Sequence, residues 1–178
     1  MIKSKKQTEL FKIVLTALLI ALNVILERFL GINATYTMIS LGFVAIAFAS
    51  VYLGIFYAVI VAVIGDIIGA FFIGGYFFGF TITNCVYAII ISICLKKTNT
   101  IKIAIGVTLT KVFCTIFLNS IWFSWLKTKG FKILFLEMAT RIPQAIILLL
   151  VETVVLIFLF TPKSAVRKVL DKEIKKII

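Results

Sequence analysis

Histidine is absent from this chain of 178 residues, and proline occurs only twice. The Gly-x-x-x-x-Gly-Lys-Ser/Thr loop of nucleotide-binding proteins and the Gly-x-Ser-x-Gly turn of esterases are missing too. The three cysteines lack Cys-x-x-Cys spacing, which argues against a metal or redox site. These absences exclude zinc hydrolysis, ATP hydrolysis and esterase chemistry, so we expect no enzymatic activity, metal or cofactor in this chain alone.

Apolar residues dominate what is present. They make up 62% of the sequence and its mean hydropathy is +1.19, which is more than a water-soluble domain of this size could bury. A helix needs about 20 apolar residues to cross about 30 Å of hydrocarbon. The sequence therefore predicts an all-α integral membrane protein, a single transmembrane domain over 1–178. Its six predicted transmembrane helices cover residues 11–29, 38–53, 55–73, 77–95, 101–124 and 137–160.

Basic residues set the predicted orientation. Thirteen of the 19 Lys and Arg residues fall in segments that share a side with the N-terminus, and four fall on the opposite side. The excess of positive charge inside predicts that both termini are cytoplasmic. Because the basic residues lie between apolar spans, and not on one face of a soluble fold, we expect no nucleic-acid binding.

The tail at 161–178 has apolar residues at helical spacing with Lys and Arg around them. This pattern is typical of a basic amphipathic helix that lies on anionic membrane lipid. A solvated charge run that only fixes the topology is the alternative.

Five charged residues interrupt the apolar runs: Glu27, Asp66, Lys111, Arg141 and Glu152. Each buried charge costs about 2.5–3.5 kcal/mol on insertion scales, so such residues usually pair or mark a functional site. Counted from the cytoplasmic helix ends, Lys111 and Glu152 lie at similar depths, and Asp66 lies near that level. We expect these three to form structural ion pairs, with a proton or ion relay as the alternative.

Arg28 and Arg141 are predicted at the external ends of their helices, where an aqueous mouth could form. Hydroxyl, amide and aromatic side chains are predicted around the same mouth, among them Thr37, Tyr76, Asn84, Asn119 and Trp122. Arginines pair with carboxylates, amides hydrogen-bond and aromatic rings stack. The set suits a flat heterocycle that carries carboxylates, although Tyr and Trp also form the interfacial belt of any membrane protein.

Five short segments carry a resemblance to a known family. They are Ala17-x-x-x-Ala21 on helix 1, Gly65-Asp66-Ile67-Ile68-Gly69 on helix 3, Phe78-Gly79-Phe80-Thr81 at the start of helix 4, Leu118-Asn119-Ser120-Ile121-Trp122-Phe123, and Ala139-Thr140-Arg141-Ile142-Pro143-Gln144. With the basic N-terminus and six predicted helices, the first three resemble the substrate-binding S components of energy-coupling factor (ECF) vitamin transporters. The last two resemble the folate-specific members. Ser40 and Gly54-Ile55 depart from the Arg and the Gly-Pro that folate members often have there.

The resemblance implies high-affinity capture of folate at the outer face of the cell membrane of a prokaryote. A separate transmembrane coupling protein, which Ala17 and Ala21 would contact, and two ATPase subunits would supply the energy. The pterin ring would stack on Trp122 or Tyr76, and the glutamate carboxylates would meet Arg28 or Arg141. Asn84 and Asn119 would hydrogen-bond to the pterin.

Three alternatives stay open from the residues. The first is an S component for another vitamin such as riboflavin. Riboflavin has no carboxylates, so the external arginines would then have no ligand carboxylate to pair with. The second is an autonomous secondary transporter that uses Asp66, Lys111 and Glu152 as a relay. The third, a membrane enzyme, has no catalytic constellation behind it.

Overall fold

A computed structural model describes residues 5–34, 37–73, 75–96, 99–128, 131, 133–161 and 164–177, without the side chains of 5, 32–34, 37–39, 73, 128, 165 and 173–177. In chain order its elements are α1 (Lys5–Val24), the π-helical segment π1 (Ile25–Phe29), β1 (Ile32–Ala34), β2 (Thr37–Ile39), α2 (Phe43–Tyr52), α3 (Ile55–Ile73), α4 (Phe78–Leu95), α5 (Thr100–Thr110), the π-helical segment π2 (Lys111–Leu118), α6 (Asn119–Thr128), α7 (Leu134–Phe160) and α8 (Ala165–Ile177). The π1 segment continues α1, and π2 joins α5 to α6, so each forms one continuous rod.

The expected all-α membrane architecture is confirmed. Among the described residues, five helical stretches are long and apolar enough to cross a membrane, namely Lys6–Phe29, Ile55–Phe72, Phe78–Leu95, Thr100–Lys127 and Leu134–Phe160. The second predicted span is instead the shorter apolar helix α2, whose ten residues extend about 15 Å, half of the hydrocarbon thickness.

Residues 38 and 39 were predicted to begin the second helix, but they belong to β2. This strand pairs antiparallel with β1, with Ile32 opposite Ile39 and Ala34 opposite Thr37. The ladder uses backbone groups that a helix would otherwise bond internally, so the helix starts only at Phe43. The chain therefore leaves the hairpin at the edge of the bundle, next to the end of π1.

Small residues bring the helices of the bundle together. Ala45 and Ala49 on α2, Ala58 and Ala62 on α3, and Ala88 on α4 are at most 2% exposed. Side chains this small let helix backbones approach closely, which is how helices associate where lipid offers no hydrophobic driving force. The helix α3 consequently packs against α1, α2 and α4.

The turn between α2 and α3 depends on Gly54, where the sequence predicted a break. The backbone N–H groups of Leu53 and Gly54 both donate to the carbonyl of Ala49, at 2.8 and 2.9 Å. Gly54 has a φ of +99°, a left-handed conformation that glycine adopts without the steric cost of a Cβ. The turn closes α2 with satisfied carbonyls and lets α3 return beside it.

The tail forms the helix α8, as its apolar spacing predicted. Arg167 joins it to the bundle, because its Nη1 donates to the carbonyl of Phe160 at 2.6 Å and its Nε lies 3.3 Å from Asp171 Oδ2. The carbonyl of Phe160 belongs to the last turn of α7, which is where a cationic side chain is favoured. Contact of α8 with lipid stays a prediction.

Candidate functional site

A polar cavity lies among α1, π1, α2, α4, π2, α6 and α7. Its volume, taken as the space open to the centres of water-sized molecules, is about 190 Å³. The polar and charged side chains that line it are Asn23, Glu27, Ser40, Thr83, Asn84, Lys111, Thr115, Asn119, Gln144 and Glu152. The rest of the wall is Gly42, Phe43, Ile46, Tyr87, Cys114 and Leu148. None of the described residues of α3 is among them.

Both π-helical segments contribute to this wall. In π1 the N–H of Leu30 donates to the carbonyl of Ile25, five residues back. In π2 the N–H of Asn119 donates to the carbonyl of Cys114, again five residues back. The wider turn changes the direction in which the following side chains point, and π-helical turns are frequent at functional sites. Glu27 comes from π1, and Lys111, Cys114 and Thr115 come from π2.

The cavity has two levels. Asn119 follows Lys111 by eight residues, and Gln144 precedes Glu152 by eight, so each amide lies about 12 Å nearer the end of the bundle where α6 ends and α7 begins. Lys111 and Glu152 thus form the deep level of the cavity. Asn119 and Gln144 lie nearer to its mouth.

Lys111 and Glu152 form an ion pair, here called the deep pair, as their equal depth predicted. The Nζ of Lys111 donates to Oε1 of Glu152, and the two side chains are 6% and 5% exposed. The Tyr87 hydroxyl donates to Oε2 of Glu152 at 3.3 Å, and Lys111 Nζ lies 5.6 Å from the centre of the Tyr87 ring. Pairing lowers the cost of placing both charges in the middle of the bundle.

Asp66 does not join the deep pair, so that part of the prediction is wrong. It is 5% exposed and accepts a 2.6 Å hydrogen bond from the Thr81 hydroxyl, while Arg28 Nη2 lies 3.4 Å from its other oxygen. Arg28 Nη2 also lies 3.8 Å from Glu27 Oε1. Thr81 lies six residues before Tyr87, the partner of Glu152 on α4, so Asp66 lies nearer than the deep pair to the start of α4.

Arg28 was expected at an open mouth, and the structure places it elsewhere. Its side chain is 14% exposed and packs on Gly69, where a Cβ would lie 2.6 Å from Arg28 Nε. Among the described residues it is not part of the cavity wall, which it approaches only through its neighbour Glu27. The physical reason is electrostatic, because two carboxylates on the inner side hold the guanidinium inside the bundle.

Asn23 belongs to the site although it was not predicted as a site residue. It is 1% exposed, lines the cavity and donates through Nδ2 to the carbonyl of Gly42 at 3.0 Å. A Cβ on Gly65 would lie 2.2 Å from Asn23 Oδ1. Gly65 and Gly69 therefore leave the space that two polar side chains of α1 and π1, Asn23 and Arg28, occupy.

Trp122 lies behind the cavity wall, not in it. Its ring centre is 5.9 Å from those of Phe77 and Phe78, edge to face, and a Cβ on Gly79 would approach its indole to 2.6 Å. The indole N–H donates to the Thr83 hydroxyl at 3.1 Å. Trp122 was predicted to stack on the ligand, but its ring is engaged with phenylalanines and it positions Thr83, which does line the cavity.

Arg141 and Tyr76 also lie outside the wall. The guanidinium carbon of Arg141 is 4.1 Å from the centre of the Phe123 ring and its Nη2 is 3.9 Å from Glu137 Oε2. Tyr76 is 54% exposed, and its hydroxyl is 3.2 Å from that of Thr81. The expected contact of these two side chains with a ligand in the cavity is not supported, since nearer partners hold them. The side chain of Thr37 lies outside the described part of the chain.

Asn84 and Asn119 are the predicted ligand-binding residues that do line the cavity. The buried Oδ1 atoms of Asn119 and Asn23 have no hydrogen-bond partner among the described residues. Most buried polar atoms have one, so both amides can accept a hydrogen bond from a molecule in the cavity. Gln144 and Asn23 could have been found by the same signal as Asn84, an amide inside an apolar run.

The first helix has an outward face that contacts little else. Ala17 and Ala21 are exposed, and Val14 and Leu18 beside them are 59% and 64% exposed. The other small-residue pairs of this spacing behave differently, because those on α2 and α3 are buried between helices. Within the part of the chain that the structure describes, the Ala17-x-x-x-Ala21 stripe is thus not buried against another helix.

Comparison with known proteins gives a consistent set of relatives. The chain is 29% identical over 144 residues to the folate transporter FolT of Clostridium novyi (strain NT), covering 79% of this chain and 82% of that one. It is 34% identical over 114 residues to the folate transporter FolT of Leuconostoc mesenteroides subsp. mesenteroides, covering 61% of each. A crystal structure of FolT bound with folic acid superposes with a TM-score of 0.74 at 24% identity, over 83% of this chain and 91% of that one. The last likeness establishes the fold.

A family model described as the S component of ECF-type riboflavin transporters matches residues 7–161. That range takes in α1 to α7 and every residue of the cavity wall. The chain is a multi-pass membrane protein and belongs to the family of ECF-type transporter S components.

Proposed function

We propose that this chain is the folate-binding S component of an ECF-type transporter in the plasma membrane of a prokaryote. The observation that carries the proposal is the cavity, whose wall offers four amide side chains, four hydroxyls and the deep pair between apolar surfaces. Pterin rings present several hydrogen-bond donors and acceptors on a flat apolar body, which such a wall suits. The two curated relatives named as folate transporters support the same ligand class.

Direct binding measurements test the proposal. The purified chain in detergent is titrated calorimetrically with folic acid, riboflavin, thiamine and biotin. We expect folic acid to bind and the other three to bind far more weakly. Mass spectrometry of small molecules that co-purify with the chain gives an independent reading of the ligand.

Two variants connect binding to the cavity. Asn119→Ala removes an amide whose buried Oδ1 has no partner among the described residues, at a cost of about 0.5–1.5 kcal/mol, or about 2- to 12-fold in affinity. Thr108→Ala is the matched control, because that exposed hydroxyl bonds the carbonyl of Ala104 in its own helix and lies off the cavity wall. Equal folic acid affinity in both variants would contradict the placement of the ligand.

Riboflavin is the second candidate, and the name of the matching family favours it. It is also a flat heterocycle with a hydrogen-bonding edge, and it carries no carboxylate. Arg28 and Arg141 give no direct support to a carboxylate ligand, since each would have to leave its ion pair to reach one. Saturable binding of riboflavin without binding of folic acid would establish this candidate in place of the first.

We propose further that the exposed face of α1 docks the transmembrane coupling protein, with two ATPase subunits completing the transporter. Ala17 and Ala21 give this face a shallow groove in which another helix can lie closely. A bulky Ala17→Trp change should abolish co-purification with the coupling protein and leave folic acid binding intact. Ile105→Trp is the control, because Ile105 is 51% exposed on a different helix. Loss of the complex in both variants, or in neither, would refute the assignment.

A further inference from the structure

We propose that the deep pair reads the hydrogen-bonding edge of the pterin ring, so that folate lies ring-first in the cavity with its glutamate at the mouth. The inference rests on the proposed folate function and adds the residues that select the ring. Lys111 and Glu152 were predicted to form a structural ion pair, but both side chains also line the cavity.

The deep pair has unused hydrogen-bonding capacity. A carboxylate offers about four acceptor positions, and among the described residues Glu152 receives one bond on each oxygen, from Lys111 and from Tyr87. An ammonium has three N–H donors, and within the same part of the chain Lys111 gives one of them to Glu152. Buried charges are stable only when their remaining donors and acceptors find partners. A polar ligand at the deep level would supply them.

The pterin edge matches this arrangement. Its 2-amino group and its N3–H are adjacent donors, and the 4-oxo group beside them is an acceptor. The carboxylate of Glu152 can accept from both donors while the ammonium of Lys111 donates to the 4-oxo group, and such charge-assisted bonds are the strong ones. The flavin ring presents carbonyl, N–H and carbonyl instead, so one carboxylate oxygen would face a carbonyl oxygen. The deep pair therefore favours a pterin over a flavin.

The position of the ring sets the direction of the ligand. The glutamate part of folate carries two carboxylates, and the ring cannot occupy the deep level unless this part lies toward the mouth. The amide level with Asn119 and Gln144 lies about 12 Å nearer the mouth, far enough for the ring to occupy the deep level between Tyr87 and Leu148. The tail then extends past the amides toward the opening.

A comparison of two ligands on the unaltered chain tests the inference. One ligand is folic acid, and the other is its 2-deamino analogue, which has the same tail and the same 4-oxo ring without the 2-amino group. The analogue lacks one of the two donors that Glu152 accepts, so we expect its affinity to be at least about tenfold lower. Equal affinities would overturn the inference while leaving the folate function standing. Absence of any folic acid binding would instead remove the proposed function and the inference with it.

A pair of variants on one helix gives the second test. Glu152→Gln replaces an acceptor of two hydrogen bonds by an amide with one acceptor and one donor, which suits the flavin edge better than the pterin edge. We expect it to weaken folic acid binding at least about tenfold and to shift the preference toward riboflavin. Glu137→Gln is the matched control, because Glu137 is also buried on α7, at 7% exposure, but lies off the cavity wall.

The inference is refuted if a folded Glu152→Gln protein binds folic acid as tightly as the unaltered chain does. Folding is judged by an unchanged gel-filtration profile and a cooperative melting transition. If the variant fails to fold, the comparison of folic acid with its 2-deamino analogue decides alone, since it uses the unaltered chain.

Discussion

Replacing Gly65 by alanine tests whether α3 fixes the position of the polar side chains of α1. The new Cβ would lie 2.2 Å from Oδ1 and 3.1 Å from Cγ of Asn23, and real contacts of this kind are longer by about 1 Å. Asn23 is 1% exposed and has a short side chain, so it cannot avoid the clash by moving into solvent. It must turn away from Gly65 and give up its 3.0 Å hydrogen bond to the Gly42 carbonyl.

The magnitude follows from the groups involved. Loss of the hydrogen bond costs about 0.5–1.5 kcal/mol, and a buried amide left without a partner costs about 1–3 kcal/mol. Alanine returns up to about 1 kcal/mol through its higher helix propensity. We expect a net destabilisation of about 1–3 kcal/mol for Gly65→Ala, which corresponds to about 2–4 °C in melting temperature per kcal/mol.

Thermal unfolding of the purified chain measures this effect, and two further variants make it specific. Gly75→Ala is the control, since an added Cβ there meets nothing within 4 Å. The double variant Asn23→Ala, Gly65→Ala keeps only the Cβ of residue 23, 3.5 Å from the new methyl group, so it should be no less stable than Asn23→Ala alone. Additive losses in the double variant, or a Gly65→Ala protein as stable as Gly75→Ala, would refute the reasoning.

Two other substitutions have defined outcomes. Lys111→Met should lower the free energy of unfolding by about 3–5 kcal/mol, because it leaves Glu152 buried without a cation, and adding Glu152→Leu should restore most of that stability. Thermal melting of the unaltered chain, the single variant and the double variant checks this expectation. A loss of stability that the second change does not repair would contradict it. Gly79→Ala should lower the free energy of unfolding by about 1–3 kcal/mol through overpacking, since its Cβ would lie 2.6 Å from the Trp122 indole. The tryptophan fluorescence should also shift as the ring moves. An unshifted spectrum with unchanged stability would contradict the close packing.

The parts of the fold that follow from composition and length were predictable. Apolar runs near 20 residues, broken by Gly54 and by Lys-rich segments, predicted the helices within a few residues at most boundaries. The short second helix was not predictable in the same way, since residues 37–39 are β-branched or apolar and suit a helix as well as a strand. Their pairing with 32–34 depends on a partner strand, which a window of sequence does not contain.

The candidate site was only partly predictable, because depth is only approximately readable from a sequence and direction around a helix is less so. Lys111 and Glu152 lie at one depth and do meet. Asp66 was counted near that depth too, yet it meets Arg28 and Thr81, nearer the start of α4. Ligand-like residue types also misled the prediction at Trp122, since an aromatic ring serves internal packing as readily as ligand stacking.

Helix α3 contributes none of the described side chains of the cavity wall and still shapes that wall. A glycine stripe is usually taken as a place where two helix backbones touch. Here Gly65 and Gly69 instead leave room for Asn23 and Arg28, and through the Asn23 bond to Gly42 the stripe also ties down the chain that enters α2. Helix α3 therefore acts on the site from behind, so substitutions on α3 should change ligand affinity without removing any group that touches the ligand.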